Sequence, residues 1–505
     1  MDSVVVSKAT DVVREPDHDE IRAAPRPSVV EGGDGPLYAN RVKVYPKAVK
    51  GRYRRIKWAV LAACLTLYYL APWLRWDRGP GAPDQALLID MTNARAYFLW
   101  LEIWPQEVYY LTGLLVLGAI GMLLVTSLLG RVWCGYACPQ TVWPDLFMLV
   151  ERLVEGDRNA RIRFDRAKWS PSKVARKALK HGIWLAIAGA TGGAWILYFN
   201  DAPTIFRTFF NGQASVAIYF FFGLFTTATY VLAGIAREQV CTYMCPWPRF
   251  QAAMLDEHTL TVSYQAWRGE KRGHAPADGN WAGRGDCIDC RACIAVCPTG
   301  IDIRDGNQLE CIGCGLCIDA CNEIMPKVGR PPNLIDFVTL TRQSALAAGR
   351  TPETYRLLRP RSLIYVALLL ITGGIMAFGL GTRAPATLTV QADRTPLFVR
   401  LSDGDVRDGY TVKISNRTHQ RTDYDLSVDT LKSARLTLAG ATEGRPVLRL
   451  SVNPDSVGTF QVYVRSPPLA SERVEFNFIL AQAGGAVIAR HDVHFTGPKH
   501  DHHDD

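Results

Sequence analysis

The sequence predicts a multi-domain membrane protein with a five-helix α transmembrane region, a cytoplasmic dicluster ferredoxin-like α+β domain and a C-terminal all-β immunoglobulin-like sandwich. Three observations support this prediction: five apolar stretches of about twenty residues, a run of closely spaced cysteines, and a C-terminal region of short alternating strands. The chain has 505 residues, is 48% hydrophobic and carries a formal net charge of +9. A chain of this length holds about two to four folded units.

The N-terminal part of the chain is divided into a polar tail and a region of apolar stretches. Residues 1–40 contain no secretory signal, and we expect a disordered cytoplasmic tail. Region 41–249 holds the first four predicted spans, and the fifth span follows at 362–382. The predicted membrane helices are roughly 56–75, 108–130, 181–199, 213–236 and 362–382.

The distribution of Lys and Arg predicts the orientation in the membrane. Eight basic residues lie between positions 41 and 57, before the first span, and ten lie between positions 152 and 180, between the second and third spans. The opposite loops contain three basic residues and one. The positive-inside rule therefore places the N-terminus in the cytoplasm and, with five spans, the C-terminal domain in the periplasm of a bacterial inner-membrane protein. The positive charge thus reflects a membrane surface, and we expect no nucleic-acid partner.

A tandem cysteine run indicates iron-sulfur clusters. Eight of the thirteen cysteines form two C-x2-C-x2-C-x3-C runs within region 250–361. This spacing is typical of two-cluster bacterial ferredoxins, in which the fourth cysteine of each run binds the other cluster. The predicted ligands of the two 4Fe-4S clusters are Cys287, Cys290, Cys293 and Cys321 for one, and Cys311, Cys314, Cys317 and Cys297 for the other. Zinc ribbons are less consistent with this pattern, because they pair two C-x2-C knuckles a dozen or more residues apart.

Four further cysteines occur in two C-x-x-x-C-P motifs. Cys134 and Cys138 follow the second span, and Cys241 and Cys245 follow the fourth, which indicates two related helical hairpins. Cysteines four apart share a helix face, and the following proline tends to stop the helix. The four thiols could bind Cu(I), complete another metal site, or cycle between dithiol and disulfide. Packing as small buried residues is the alternative, and we assign it to Cys64.

The C-terminal region predicts a periplasmic domain. Residues 385–498 contain roughly eight short runs of alternating hydrophobic and polar residues separated by turn residues, which is typical of an immunoglobulin-like sandwich. The region contains no Cys and no Met, which argues against a Cu(I) site there. Five histidines lie near the C-terminus, three of them in the 499–505 tail. They could bind Cu(II) or Zn(II), but we favour a solvated polar tail. These histidines are His491, His494, His500, His502 and His503.

Taken together, these motifs resemble the FixG/RdxA/CcoG proteins, accessory factors of cbb-type cytochrome c oxidases. The resemblance extends from about residue 37 to 496 and includes Tyr45-Pro46-Lys47, Trp104-Pro105-Gln106, both C-x-x-x-C-P motifs, the tandem cysteine run and the terminal sandwich. It implies an electron-transfer oxidoreductase that reduces Cu(II), its substrate, to Cu(I) for the oxidase copper centre. Oxidase subunits or copper-delivery proteins would be its partners. The implied copper-binding and catalytic residues are Cys134, Cys138, Cys241 and Cys245.

Two other functions are compatible with the sequence. A membrane quinol dehydrogenase module of a periplasmic respiratory system would need a periplasmic electron acceptor, and the chain contains no C-x-x-C-H haem motif. An assembly scaffold would dock through the immunoglobulin-like domain, since such domains commonly bind partners. In each case the electron donor, a cytoplasmic protein or a membrane quinol, is not indicated by the sequence.

Overall fold

A computed structural model describes residues 43–78, 82–276, 279–352, 354–418, 420–431, 433–468 and 471–498. The tail predicted at 1–40 and the terminal His500, His502 and His503 lie outside these residues. The chain divides into two compact units. The first extends to Ile375 except for residues 75–84, and the second comprises residues 75–84 and the chain from Met376 onward.

The first half of the first unit is mostly helical. Its helices are α1 (Arg52–Leu70), α2 (Tyr109–Leu129), α3 (Val132–Tyr136), α4 (Pro139–Glu155), α5 (Arg158–Arg166), α6 (Pro171–Leu197), α7 (Ala202–Phe210) and α8 (Val216–Thr229). Helix α8 continues through π-helical turns at Tyr230–Ala236 and Val240–Met244 that flank α9 (Arg237–Gln239). Between α1 and α2, strands β1 (Leu87–Asp90), β2 (Arg95–Phe98) and β3 (Leu101–Ile103) form an antiparallel sheet.

The cysteine-rich half of this unit is built from shorter elements. They are α10 (Trp247–Met254), β4 (Thr261–Tyr264), α11 (Ala266–Gly269), α12 (Ala292–Ala295), α13 (Leu316–Ile324), β5 (Ile335–Val338), α14 (Leu340–Ala347) and α15 (Pro360–Gly381). Strands β4 and β5 pair antiparallel. Buried Val262, Ile294, Ile318 and Met325 pack with the cysteines into one core.

Four helical segments in the described residues are long and apolar enough to cross a membrane: Arg52–Trp73, Tyr109–Leu129, Val216–Met244 and Pro360–Gly381. The remaining predicted stretch, 181–199, lies mostly in α6, which is not among these four. The predicted count of five spans is therefore not confirmed.

Helix α6 is less apolar because it packs against other helices through small residues. A Cβ atom added to Gly192 would lie 2.7 Å from Thr226 Oγ1 and 3.0 Å from the carbonyl oxygen of Phe222, so α6 and α8 are in close contact. Helices that meet this closely in a membrane use Gly, Ala and Thr rather than large aliphatic side chains.

The second unit contains two antiparallel sheets. Its strands are β6 (Ala386–Ala392), β7 (Val399–Arg400), β8 (Val406–Asn416), β9 (Thr422–Val428), β10 (Arg435–Leu438), β11 (Val447–Val452), β12 (Ser456–Ser466), β13 (Arg473–Gln482) and β14 (Val487–Thr496). One sheet has the order β10-β12-β8-β6, with β7 also paired to β8, and the other has the order β11-β9-β13-β14. Both sheets contribute to one apolar core around Tyr410, Phe476 and Phe478. The predicted sandwich is confirmed. His491 Nε2 lies 3.0 Å from the carbonyl oxygen of Val390 and so links β14 to β6.

Candidate redox site

The two cysteine runs fold into loops with the same backbone shape. Asp289 and Arg291, on either side of the second cysteine of the first run, have positive φ values of 53° and 55°. Gly313 and Gly315 occupy the same places in the second run, with φ values of 66° and 71°. A left-handed conformation costs an ordinary residue about 1–2 kcal/mol. The first run therefore adopts, at a cost, the conformation that glycines allow in the second.

The structure exchanges the last cysteines of the two runs. One cavity is lined by Cys293 and Cys297 of the first run together with Cys311, Cys314 and Cys317 of the second. Cys297 ends the first run in sequence but lies with the second run in space. Conversely, Cys321 on α13 lies within electrostatic range of Cys287 and Cys290, and Cys293 is in range of Cys290 and Cys321. The residues predicted to share each cluster thus lie near one another, while the assignment of ligands stays a prediction.

The chemistry of these donors fits an iron-sulfur cluster. Burial raises the pKa values of Cys290, Cys293, Cys314 and Cys317, and it raises those of Cys311 and Cys321 to about 12. Such thiols become thiolates at neutral pH only beside a strong positive charge, which bound iron supplies. In the described residues, no three His, Cys, Asp or Glu side chains are grouped to hold a single metal ion. A cubane cluster spaces its ligand sulfurs more widely than a single tetrahedral ion does.

Each C-x-x-x-C-P motif places its second cysteine beyond the end of a helix. Cys134 lies in α3, whereas Cys138 is extended (φ −60°, ψ 132°) directly before α4. Cys241 lies in a π-helical turn, and Cys245 is again extended (φ −81°, ψ 122°). The reason is that a residue before proline disfavours the helical conformation. The expectation that each pair occupies one helix face therefore does not hold, although the expected interruption at the proline is present.

The structure nevertheless brings the four motif thiols together. Cys134, Cys138, Cys241 and Cys245 are all partly buried and lie within electrostatic range of one another. Burial raises the pKa of Cys134 to about 11 and also raises that of Cys138, so both thiols stay protonated at neutral pH without a metal. No three of these four described thiols are grouped to hold one metal ion, so binding a soft ion would require the sulfurs to move closer together. Copper binding by these residues stays a prediction.

The first C-x-x-x-C-P motif packs directly on the loop of the second cysteine run. A Cβ atom added to Gly135 would lie 2.8 Å from the carbonyl oxygen of Ile312 and 3.0 Å from the Cα atom of Cys314. The adjacent Tyr136 donates a hydrogen bond from its hydroxyl to the carbonyl oxygen of Cys314 at 3.0 Å. This contact requires a residue without a side chain at position 135. It places the four motif thiols next to the cavity that Cys297 and Cys314 line.

The second motif lacks this contact. Thr242 and Tyr243 correspond in sequence to Gly135 and Tyr136. Tyr243 is 58% exposed, whereas Tyr136 is buried. The two motifs are therefore alike in sequence and local shape but differ in position, because only the first is docked on a cysteine run.

Polar residues that the sequence pattern did not identify hold these parts together. Gln251 on α10 is fully buried, and its Oε1 accepts a hydrogen bond from the Cys134 thiol at 3.3 Å. Asp319 on α13 accepts hydrogen bonds from the backbone N–H groups of Tyr53 and Arg54, at 3.2 and 2.7 Å, and so caps the start of α1. Asp319 lies inside the second cysteine run, but its partners are more than 260 residues away. No local pattern reveals such a pairing.

Comparison with known proteins is consistent with these features. Family models match a 4Fe-4S dicluster domain at residues 236–340, a 4Fe-4S binding domain at 111–154, and an immunoglobulin-like fold at the C-terminus of FixG at 376–498. The 111–154 match contains Cys134 and Cys138, and the 236–340 match contains the other ten cysteines discussed above. The predicted iron-sulfur character of the chain is confirmed.

Similar proteins cover almost the whole chain. Nitrogen fixation protein FixG of Rhizobium meliloti is 48% identical over 484 residues, which cover 90% of this chain and 91% of that protein. Protein RdxB of Cereibacter sphaeroides is 46% identical over 468 residues, covering 91% and 97%. The crystal structure of a FixG-related protein from Vibrio parahaemolyticus is 24% identical and covers 23% of this chain and 97% of that one, with a TM-score of 0.19.

Proposed function

Because this chain belongs to the FixG family, we propose that it is a membrane redox protein that reduces Cu(II) to Cu(I) for the assembly of a cbb-type cytochrome c oxidase. The observation that carries this proposal is the packing of the first C-x-x-x-C-P motif on the second cysteine run, through Gly135 and Tyr136. A group of soft thiols beside an iron-sulfur site is suited to the one-electron reduction of a soft metal ion.

We assign the resident cofactors to the eight cysteines of the tandem runs. One 4Fe-4S cluster is bound by Cys287, Cys290, Cys293 and Cys321, and the other by Cys297, Cys311, Cys314 and Cys317. When bound, the clusters supply one-electron transfer. The protein buries the ligands and turns both loops through paired left-handed residues. Asp319 anchors the second run to α1 through the backbone amides of Tyr53 and Arg54.

The four motif thiols form the proposed copper site. Cu(II) is the substrate, and each ion gains one electron to become Cu(I). The electron comes from a donor outside this chain, either a cytoplasmic protein or a membrane quinol. Binding releases the thiol protons, since the thiolate is the ligand. Thiolates favour the cuprous ion, so the site stabilises the product more than the substrate. Gln251 accepts from the Cys134 thiol and orients it.

The proposed placement is in the bacterial inner membrane with both redox sites at the cytoplasmic face. The four apolar helices and the basic residues before α1 and between α4 and α6 support this placement. We propose that α6 is the fifth span, which would place the immunoglobulin-like domain in the periplasm. There the domain would dock oxidase subunits or copper-delivery proteins. Removing residues 385–505 should then abolish oxidase maturation while copper reduction in membranes continues.

The copper assignment is tested with the four cysteines changed together to serine. Pre-reduced full-length protein is mixed with Cu(II), and Cu(I) is measured with a chromogenic chelator. We expect the quadruple variant to lose at least about tenfold in the Cu(I) formation rate while its reduced iron-sulfur EPR signals persist. Cys64→Ser is the matched control, because Cys64 lies in α1 away from both sites. Full activity in the quadruple variant would remove these thiols from the reaction.

A further inference from the structure

Arg131 lies between the second cysteine run and the thiol group. It precedes α3 and is three residues before Cys134, and its side chain is only 8% exposed. Nη1 donates to the carbonyl oxygens of Cys311, at 3.0 Å, and of Gln308 and Leu309. Nη2 donates to the carbonyl oxygen of Pro248, two residues after the second C-x-x-x-C-P motif, at 3.1 Å. One guanidinium group therefore joins the segment before the first motif, the segment after the second motif and the second run.

Among the described residues, Arg131 has no carboxylate within ion-pair distance, although Glu310 interacts with it electrostatically at longer range. Each hydrogen-bond partner of its guanidinium is a backbone carbonyl, and in the described part of the chain no Asp or Glu forms a salt bridge with it. Its Nε atom is buried and has no hydrogen-bond partner among the described residues. A guanidinium cannot lose its proton in a protein. Burying a cation without a close ion-pair partner is unfavourable, so additional negative charge beside Arg131 is stabilised.

The cations beside the first run are balanced. Arg304 interacts with Cys290 and Cys293, but it is paired with Asp302 at 2.7 Å and with Asp289 at 2.5 Å. Arg268, near Cys321, is similarly paired with Asp286 at 2.8 Å. Arg131, beside the second run, lacks the close carboxylate partners that Arg304 and Arg268 have beside the first.

The second C-x-x-x-C-P motif has no counterpart of Arg131. The residue three positions before Cys241 is Glu238, so the corresponding place carries the opposite charge. Gly313 is also in contact with Arg131, since a Cβ atom added to Gly313 would lie 3.3 Å from the Arg131 Cβ atom. The cation thus belongs to the one motif that is docked on the second run.

A buried cation without an ion-pair partner stabilises whichever state of its neighbour is more negative. Reduction adds one negative charge to an iron-sulfur site, and the interaction is strong because the surroundings exclude water. We propose that Arg131 is a positioning residue that raises the reduction potential of the second cysteine site above that of the first, and so directs electrons toward Cys134. This inference rests on the cluster assignment of the proposed function, but not on copper as the substrate.

The test is an EPR-monitored redox titration of the full-length protein. Arg131→Gln removes the positive charge, and we expect the midpoint potential of one of the two titration waves to fall. At a fixed potential, the reduced-to-oxidised ratio of that cluster should decrease at least tenfold, which corresponds to about 59 mV for one electron. Arg304→Gln is the reciprocal variant, and it should move the other wave. An Arg131→Gln variant with both waves unchanged would overturn the proposal.

A conservative substitution separates charge from hydrogen bonding. Arg131→Lys keeps the positive charge but loses the planar fork, and we expect its ratio to stay within about threefold of the unmodified protein. If Arg131→Gln fails to assemble the second cluster, Arg131→Lys decides the question, because a tenfold decrease there would overturn the electrostatic role. This titration contains no copper, so its result does not depend on copper as the substrate. If the wave shifts here but the separate Cu(II) assay shows no Cu(I) formation, the proposed function is rejected and the role of Arg131 stands.

Discussion

The hydroxyl of Tyr136 donates a hydrogen bond to the carbonyl oxygen of Cys314 at 3.0 Å, although the two residues are 178 positions apart in sequence. Tyr136 belongs to the first C-x-x-x-C-P motif, and Cys314 is the second cysteine of the second run. Both residues are buried, and burial raises the pKa of Tyr136, which keeps its hydroxyl protonated as a donor. This bond joins the thiol site to the iron-sulfur region.

Tyr136→Phe should weaken that junction. The change leaves a buried carbonyl without a partner, which costs about 1–3 kcal/mol. We expect slower reoxidation of the reduced protein by Cu(II), measured by stopped-flow absorbance. Tyr243→Phe is the matched control, because Tyr243 occupies the same motif position but is exposed. Equal effects of the two substitutions would argue that the hydrogen bond has no role.

Gly135→Ala should separate the two redox sites. The new Cβ atom would lie 2.8 Å from the carbonyl oxygen of Ile312, so the loop must move. Such overpacking costs about 1–3 kcal/mol, and we expect a lower midpoint of thermal unfolding together with slower Cu(II) reduction. Gly118→Ala in α2 is the control, since nothing lies within 4 Å of its added Cβ atom. Unchanged kinetics in Gly135→Ala would show that close packing at this position is not required.

Serine substitutions should test the exchanged cysteines. Because Cys297 interacts with Cys311 and Cys314, Cys297→Ser should impair the second cluster and leave the first. Cys321→Ser should do the reverse, since Cys321 lies near Cys287 and Cys290. EPR of each variant, combined with the Arg131→Gln and Arg304→Gln titrations, identifies the surviving cluster. Survival of the same cluster in both variants would contradict the crossed assignment.

Asp408 should make the immunoglobulin-like domain less stable at neutral pH than at mildly acidic pH. Its carboxyl group is 3% exposed, and burial raises its pKa to about 6. An acid whose pKa rises on folding binds its proton more tightly in the folded state, so its favourable contribution is complete below about pH 4 and is lost as the pH rises through 6. Asp408→Asn should flatten this pH dependence and raise the free energy of unfolding of the domain by about 2 kcal/mol at pH 7.

The measurement for Asp408 is calorimetry of the sandwich transition in the full-length protein at pH 4.5, 6 and 7.5. Asp425→Asn is the control, because Asp425 lies on the same domain and a hydrogen bond from Arg449 lowers its pKa. This control should not stabilise the domain at pH 7. If Asp425→Asn stabilises the domain at pH 7 as much as Asp408→Asn does, the effect of Asp408→Asn reflects a general change of charge and not the buried carboxyl group.

The features that sequence predicts well are those with local patterns. Cysteine spacing identifies the runs from Cys287 to Cys321, because three ligands must share one tight loop. Alternating residues from Ala386 onward identify the sandwich, because strand side chains alternate between faces. Helix α6 is predicted only in part, since a helix packed against others through Gly192 does not need the uniform apolarity that defines a lipid-facing span.

The sequence by itself therefore determined the kinds of domain, the clusters of cysteines and the family. Only the tertiary structure decided that one of two similar C-x-x-x-C-P motifs docks on the second run, and that Arg131 and Asp319 join segments far apart in the chain. The physical reason is that spacing and periodicity report contacts within a turn, a helix or a strand. Contacts between distant segments depend on how those elements pack, and they leave no repeating pattern in the sequence.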